Sequence, residues 1–450
     1  MIKRSVSPIP FYIILSLSMV MYILLGYFTK RTEFSQIVTL FGLLFAGYAY
    51  HTLAGIDEKL LKHAISFSLS FRLSLLFMVP NLSDDYFRFI WDGRLSAHGI
   101  NPFIITPSSL IGSSQASSMG MTTELYSQLN SQEYHTIYPP VLQFIFWISA
   151  HIFPGHVMGS LIVMRLFIVA AEAGSIFLIS ALLKNAGLPS KNILLYALNP
   201  LVIVELTGNL HFEAVMIFFL LLFVFFFIKK RPTLSAIAFS LAVCSKLLPL
   251  MFLPLFLRRI GIKKSFLFYS VCLATTVLLF LPFIDVSFFQ NIFSSLNLYF
   301  QKFEFNASIF YLIRWGGFQA FGFDVIGTAG IILSLITITC IISVACCKKP
   351  EGESSFFYDM LICLTAYFVF ATTVHPWYIS TLVLFSVFTT YRFSLVWSGL
   401  IVLTYFTYRS VPYSENLLIV VIEYCILCGF VIYEWNTRKI KPHILVENIR

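Results

Sequence analysis

Long, continuous apolar runs dominate the chain. Runs of about 17–25 residues recur through most of its length, separated by short polar segments. A helix needs about 20 apolar residues to cross a bilayer, and continuous rather than alternating runs indicate helices and not the strands of a barrel. The pattern predicts spans at residues 9–28, 34–54, 64–80, 160–183, 192–206, 212–228, 265–284, 325–347, 356–374, 378–391, 394–410 and 417–434.

Two further apolar segments need a different interpretation. Residues 234–257 have basic loops at both ends and contain two prolines, which predicts a pair of short helices with a break between them. Residues 138–153 end near two histidines and a proline, which favours an interfacial helix over a crossing. We therefore expect an all-α, polytopic integral membrane protein, with residues 1–450 forming one domain of about fourteen membrane-inserted helices.

Composition agrees with this class and excludes others. Apolar residues make up 58% of the 450 residues, charged residues make up 11%, and the mean hydropathy is +0.85. A soluble chain of this length would need far more polar surface. The net charge of +9 is concentrated in short loops, where it reports topology and not nucleic-acid binding. The eight cysteines have no metal-ligand spacing and fit small core residues.

The basic loops predict the orientation, because cytoplasmic loops carry an excess of Lys and Arg. One face collects the basic segments 184–191, 229–231, 258–264, 348–349, 392 and 438–441. Lys30 and Arg31 fall on the opposite face, as one exception. This assignment places the long loop 81–137 and a second loop, 285–323, together outside the cytoplasm.

The densest charge in the chain follows directly on the apolar segment that ends at Pro80. Three carboxylates and two guanidinia stand within eleven residues: Asp84, Asp85, Arg88, Asp92 and Arg94. Charge that a membrane protein does not need for solubility often marks chemistry or ligand binding. Further polar and aromatic residues join the candidate site: His211, Glu213, Lys246, Arg314, His375, Trp377 and Tyr378.

These residue types suit sugar transfer from a lipid phosphate. The attacking hydroxyl must lose a proton, which a carboxylate accepts, and the leaving phosphate needs Arg, Lys or His nearby. A Phe-rich groove between helices would hold an isoprenoid tail. Secondary transport is the alternative, with Arg72, Arg165, Glu172 and Glu423 as the mid-span charges. A non-catalytic assembly factor or a flippase is a third.

The segment from Asp84 through Gly93 to Phe103 resembles the first-loop motif of the bacterial GT-C fold glycosyltransferases that use polyprenol-phosphate sugars, especially their mannosyltransferase-like branch. Further motifs resemble those of the family in the same order: Tyr138-Pro139-Pro140, Asn199-Pro200-Leu201, Gly208 to Glu213, Lys246 to Pro249, Phe305 to Ser308 and His375 to Tyr378. Two positions depart from the pattern. Glu213 stands where aspartate is usual, and Leu210 stands where glycine often sits.

The resemblance implies an inverting hexosyltransferase of the bacterial inner membrane, with its active site facing the periplasm or exterior. Mannose is the expected sugar, a polyprenyl phosphate the donor, and an extracytoplasmic lipid or glycan the acceptor. No cofactor is required. A divalent metal could bind Asp84, Asp85, His211 and Glu213 if their loops met, although the spacing does not support one. The alternative is a transporter or flippase of lipid-linked glycans.

Asp85 is the preferred base and Asp84 the second choice, since Ser83 or Asp84 could instead cap the following helix. Arg88, Lys246 and His375 are expected to hold the leaving phosphate. Asp92 could bind the acceptor, or pair with Arg88 one helical turn earlier. The remaining residues are expected to contact donor or acceptor: Arg94, His211, Glu213, Arg314, Trp377 and Tyr378.

Overall fold

A computed structural model describes residues 7–301, 303–347, 354–410 and 413–440. Helices make up the fold, and the described residues contain no strand beyond one isolated bridge between Phe305 and Thr373. The all-α prediction is confirmed. Of the basic segments used to predict the orientation, residues 348–349 and 441 lie outside the described residues.

The first half of the chain contains twelve α-helices. They are α1 (Pro8–Phe28), α2 (Phe34–Leu53), α3 (Glu58–Ser74), α4 (Asp85–Ala97), α5 (Pro107–Leu110), α6 (Ser114–Ser118), α7 (Thr123–Ser127), α8 (Pro140–Ile152), α9 (Val157–Asn185), α10 (Leu194–Ala197), α11 (Glu213–Ile228) and α12 (Pro232–Val243). A short 3-10 turn at Ser190–Ile193 precedes α10, and a π-helix at Val202–Gly208 precedes α11.

The second half continues with α13 (Pro254–Ile260), α14 (Ile262–Phe280), α15 (Phe288–Gln301), α16 (Ile309–Phe321), α17 (Ile326–Cys347), α18 (Ser354–Phe370), α19 (Ile379–Phe388), α20 (Phe393–Leu400) and α21 (Leu417–Ile440). The 3-10 segments Leu248–Phe252, Leu281–Phe283, Pro376–Tyr378 and Ile401–Arg409 join some of them. The predicted loop 285–323 is thus largely helical, as α15 and α16.

Within the part of the chain that the structure describes, six helices are long and apolar enough to cross a membrane: Pro8–Phe28, Phe34–Leu53, Val157–Asn185, Lys263–Phe283, Ile326–Cys346 and Leu417–Thr437. The π-helix and α11 are bent by 110° relative to each other at a short break, and they add a seventh span if the pair crosses the membrane as one. Five shorter apolar helices accompany them. The protein is therefore a multi-pass membrane protein, and the count of about fourteen inserted helices stays a prediction.

The predicted break in one apolar segment matches the observed helices, whereas the interfacial position of the segment 138–153 stays a prediction that the length of its helix favours. The segment 234–257 breaks after Val243, and a 3-10 turn that contains Pro249 follows at Leu248. In the segment 138–153, α8 starts with Pro140 at its first position and has only 13 residues. At 1.5 Å per residue α8 is about 20 Å long, too short for a hydrocarbon core of about 30 Å.

The first loop packs tightly on the helices behind it. Gly93 of α4 lies against α8 so closely that a Cβ there would stand 2.5 Å from the backbone oxygen of Phe146. Phe89 of α4 stacks on Phe146, with ring centroids 4.9 Å apart. These contacts fix the axis of α4, and with it the position of the two aspartates at its start.

Candidate active site

The paired aspartates stand at the start of α4 but face different partners. The Asp84 carboxylate forms an ion pair with Arg31, at 2.5 Å, and gives α4 no side-chain cap. The backbone N–H of Asp85 donates to the Ser83 hydroxyl at 3.3 Å. The Asp85 carboxylate accepts a hydrogen bond from the Asn130 amide at 2.9 Å. Asp84 is thus held by a cation, and Asp85 by a neutral amide.

A second ion pair lies beside Asp85. Lys246, at the break after α12, donates to Glu213, at the start of α11, over 2.8 Å. The Lys246 ammonium also lies 6.0 Å from the centre of the Tyr138 ring. Both charges of the pair act electrostatically on Asp85. We call Asp84, Asp85, Glu213 and Lys246 the carboxylate–lysine cluster.

The environment of Asp85 raises the pKa of its carboxyl group. Burial raises the pKa of the Asp85 carboxyl above its usual value, and the charges of Glu213 and Asp84 raise it further. The hydrogen bond from Asn130 and the charge of Lys246 act in the opposite direction. A carboxylate with a raised pKa is a stronger proton acceptor near neutral pH.

Four aromatic rings form a continuous stack next to this cluster. The His211 and Trp377 rings are stacked with centroids 3.7 Å apart, and His375 covers the indole at 4.4 Å. Phe305 stacks on His375 at 4.8 Å. The bridge between Phe305 and Thr373 holds these segments together: the Phe305 N–H donates to the Thr372 carbonyl at 3.0 Å, and the Val374 N–H to that of Phe305 at 2.8 Å. We call these four residues the imidazole stack.

The imidazole stack changes the roles expected for its members. The sequence suggested that Trp377 contacts substrate, but imidazoles stack on both sides of its buried ring. Its flat faces are not open to a sugar. Burial, reinforced by the charge of Lys246, lowers the pKa of His375 to about 3. At neutral pH His375 therefore offers a phosphate a hydrogen bond but no charge. Tyr378 stacks on Phe368, with centroids 6.0 Å apart.

A left-handed residue places His211 in the stack. The π-helix ends at Gly208, and Leu210 has a φ of +66° before α11 starts. This region favours glycine, which is the residue that the family pattern often has there. Leucine adopts it here with its side chain fully buried. The departure noted at position 210 thus keeps the backbone conformation that glycine would allow.

Sequence reasoning missed Glu205, which lies in the π-helix directly beside His211. Its Oε2 atom is 3.5 Å from His211 Nε2, and the Tyr405 hydroxyl donates to its Oε1 atom. Neither Glu205 Oε2 nor His211 Nε2 has a hydrogen-bond partner among the described residues. The signal that could have identified Glu205 is its carboxylate inside the predicted span 192–206, because charged residues within a span are often functional.

Arg88 and Asp92 pair with each other inside the first loop. Their side chains are buried and joined at 2.8 Å, one helical turn apart. Arg88 also donates to the carbonyls of Ser131 and Tyr134, and Asp92 accepts from Gln143. Of the two interpretations of Asp92, the structure contains the pairing with Arg88. Both side chains tie α4 to the end of the loop, while the buried Nη2 atom of Arg88 has no hydrogen-bond partner among the described residues.

Arg94 and Arg314 also have protein partners. Arg94 donates to the carbonyl of Gly120 within the first loop. Arg314 forms an ion pair with Glu304 and lies 4.6 Å from the centre of the Tyr311 ring. In the structure as it stands, their guanidinium groups hold loop segments together.

An apolar groove lies between helices that adjoin the segments of the carboxylate–lysine cluster in the chain. The cavity measures about 820 Å³ and is bounded mainly by α8, α9, α11, α12 and the end of α14. Its walls include Pro140, Phe144, Trp147, Val215, Phe218 and Leu241. Pro140 and Val215 are two residues from Tyr138 and Glu213. The Val141 N–H donates to the Cys244 carbonyl at 3.0 Å, which ties the groove to the break that carries Lys246.

Within the ranges that the structure describes, no group of three or more His, Cys, Asp or Glu side chains is arranged to hold a metal ion. Lys246 forms an ion pair with Glu213 and acts electrostatically on Asp85. An ammonium bonded to Glu213 and acting on Asp85 places there the positive charge that a cation would bring.

Residues 16–260 match the model of a protein family described as alpha-(1->6)-mannopyranosyltransferase, N-terminal domain. The match covers more than half of the chain and includes the whole carboxylate–lysine cluster, whereas His375 and Trp377 lie beyond it. No curated protein matches the sequence.

Proposed function

The chain belongs to the alpha-(1->6)-mannopyranosyltransferase family, and from this premise we propose that it moves mannose from a polyprenyl phosphate to a lipid or glycan acceptor. Family membership makes the protein a mannose-transferring glycosyltransferase, with a sugar donor and an acceptor. The lipid-phosphate donor, the inverting course of the reaction and the site residues are the proposal. The site would face the periplasm or exterior of a bacterial inner membrane.

The observation that carries the proposal is an apolar groove whose wall is hydrogen-bonded to the break that carries Lys246 of the charged cluster. A polyprenyl-phosphate sugar is apolar over most of its length and anionic at one end. The groove of about 820 Å³ would take the tail, and the hydrogen bond from Val141 in its wall to the Cys244 carbonyl connects it to the break that carries Lys246. Phe144 and Trp147 line the groove and are also exposed on the surface of the protein, which suits entry from the lipid.

Asp85 is the proposed base. It takes the proton of the acceptor hydroxyl, whose oxygen forms a bond to the anomeric carbon of mannose. The bond from that carbon to the phosphate oxygen breaks, and the phosphate leaves with the electron pair. Attack on the opposite face from the leaving group inverts the anomeric carbon. Asp84 is less suited, because its carboxylate already carries the Arg31 ion pair.

Lys246 is the proposed contact for the leaving phosphate. Its side chain is 26% exposed, whereas that of its partner Glu213 is only 4% exposed. The ammonium therefore has donors left for a ligand, and a charge-assisted hydrogen bond to a phosphate strengthens as negative charge develops. His375 would add a neutral donor or acceptor. No cofactor or metal takes part in this scheme.

Transport, the alternative weighed from the sequence, loses its main support. Each of its mid-span charges has a protein partner. Arg72 binds Glu172 at 2.7 Å, Arg165 donates to the carbonyls of Leu76, Thr207 and Gly208, and Glu423 accepts from Asn306 and Trp397. These buried ion pairs and hydrogen bonds hold neighbouring segments of the fold together.

The donor class is tested with purified protein in liposomes. Radiolabelled mannose is supplied as polyprenyl-phosphate mannose or as a nucleotide sugar, with a mixture of lipid and glycan acceptors. We expect transfer from the lipid donor alone. The variant Phe218→Trp places a larger side chain in the wall of the groove and should narrow it. It should lower the kcat/KM for a long-chain donor more than that for a short-chain donor. Transfer from the nucleotide sugar alone would overturn the proposal.

A further inference from the structure

The N-terminal helical hairpin reaches the candidate active site through one residue. Arg31 lies in the turn between α1 and α2, and its guanidinium binds the Asp84 carboxylate at 2.5 Å. It also lies 5.0 Å from the centre of the Tyr408 ring, near the end of the segment Ile401–Arg409. Arg31 thus links two distant parts of the chain to the start of α4.

The side of the membrane on which Arg31 lies also needs an explanation. The pair Lys30 and Arg31 was the exception to the predicted distribution of basic loops, and the ion pair with Asp84 places Arg31 on the same side as the first loop. A cation on that side does not help orient the protein. Pairing with an active-site carboxylate supplies a reason for it.

We propose that Arg31 is a positioning residue which, by binding Asp84, selects Asp85 as the proton acceptor of the reaction. The proposal rests on the proposed role of Asp85 as the base. Arg31 and Asp84 together carry no net charge, so Asp85 has a neutral pair beside it. Without Arg31, the unpaired Asp84 carboxylate would compete for the acceptor hydroxyl and repel the charged form of Asp85.

The charged groups that act on Asp85 are Asp84, Glu213 of α11 and Lys246 at the break after α12. Arg31 binds Asp84, and the Tyr408 hydroxyl of the C-terminal 3-10 segment also interacts with Asp85. Asp84 acts to raise the proton affinity of Asp85. Removing Arg31 strengthens this effect, and removing the charge of Asp84 reverses it.

The test compares the pH dependence of kcat/KM for mannose transfer in five variants. The acidic limb of this profile is the range in which kcat/KM falls as Asp85 becomes protonated. Arg31→Gln should move this limb to higher pH, and Asp84→Asn should move it to lower pH. The double variant Arg31→Gln/Asp84→Asn should return it close to the wild-type position. Arg31→Lys and the control Lys30→Gln, at an exposed neighbouring residue, should leave the limb in place.

A purely structural role would lower the rate without these opposite shifts. If Arg31→Gln and Asp84→Asn both reduce kcat/KM equally at every pH, the proposal is wrong. Because Asp84→Asn alone predicts a shift of defined sign, the proposal stays testable even if Arg31→Gln fails to fold.

A second readout does not depend on turnover. The carboxylic-acid stretch of Asp85 in the infrared spectrum, assigned by its loss in Asp85→Asn, should titrate at higher pH in Arg31→Gln than in the wild type. An unchanged midpoint would overturn the proposal. A shifted midpoint in a protein that transfers no mannose would support the coupling and count against the proposed function instead.

Discussion

Replacing Lys246 with methionine tests how the ion pair beside Asp85 serves the reaction. The substitution keeps the length of the side chain but removes the ammonium, which binds Glu213 at 2.8 Å. Losing one charge-assisted contact to the leaving phosphate costs about 1.5–3 kcal/mol. That corresponds to a loss of about 10- to 150-fold in kcat/KM for the donor.

A second effect follows from the partner that remains. Without Lys246, Glu213 is an unpaired buried carboxylate that acts on Asp85 and raises its pKa. The acidic limb of the pH profile should therefore move to higher pH in Lys246→Met. In Lys246→Met/Glu213→Gln the limb should return toward its original position, while the loss caused by the missing phosphate contact persists.

The assay is mannose transfer from polyprenyl-phosphate mannose across pH, normalised to folded protein. Lys62→Met is the matched control, because Lys62 forms an ion pair with Glu58 that is largely exposed to solvent. It should leave both rate and pH profile unchanged. Wild-type kcat/KM in Lys246→Met, with no shift of the acidic limb, would refute both roles of Lys246.

Three further predictions concern the fold. Arg72→Met leaves the buried Glu172 carboxylate without its ion-pair partner and should lower the free energy of unfolding in detergent by about 3–5 kcal/mol. Mannose transfer per folded molecule should stay normal. Loss of transfer without loss of stability would show that these charges take part in function. Gly93→Ala should lower the Tm because its Cβ would meet the backbone of α8, whereas Gly42→Ala, with open space around it, should not; equal Tm values would contradict the close packing. Leu210→Gly should be more stable than Leu210→Ala by about 1–2 kcal/mol, since only glycine relieves the positive φ; an alanine variant of equal stability would contradict it.

The apolar pattern was sufficient to predict the fold class and the positions of the long helices. It was less reliable where tertiary packing decides the helix ends. The span expected over 64–80 ends as a helix at Ser74, and the segment 394–410 divides into α20 and a 3-10 segment. Neither change has a distinct signal in hydropathy, because apolar residues continue through both breaks. The GT-C assignment stays a prediction.

The site could be predicted as a set of residues but not as a set of contacts. The sequence identified Asp84, Asp85, Glu213 and Lys246, yet it could not assign their ion-pair and hydrogen-bond partners, which come from other segments of the chain. It offered both a phosphate contact for Arg88 and an ion pair with Asp92 four residues on; the structure contains the ion pair, and the phosphate contact stays a prediction. It gave Arg31 no role in the site, because the basic pair Lys30 and Arg31 in a short turn indicates only topology.

The central claim is that Asp85 is the base of mannose transfer, and single-turnover transfer by Asp85→Asn tests it most directly. We expect the rate to fall by about 10²–10⁴-fold, as for the loss of a general base, while the affinity for the lipid donor changes little. Asp84→Asn should keep most of the transfer at its own optimal pH. Wild-type transfer by Asp85→Asn, or a larger loss in Asp84→Asn, would contradict the account.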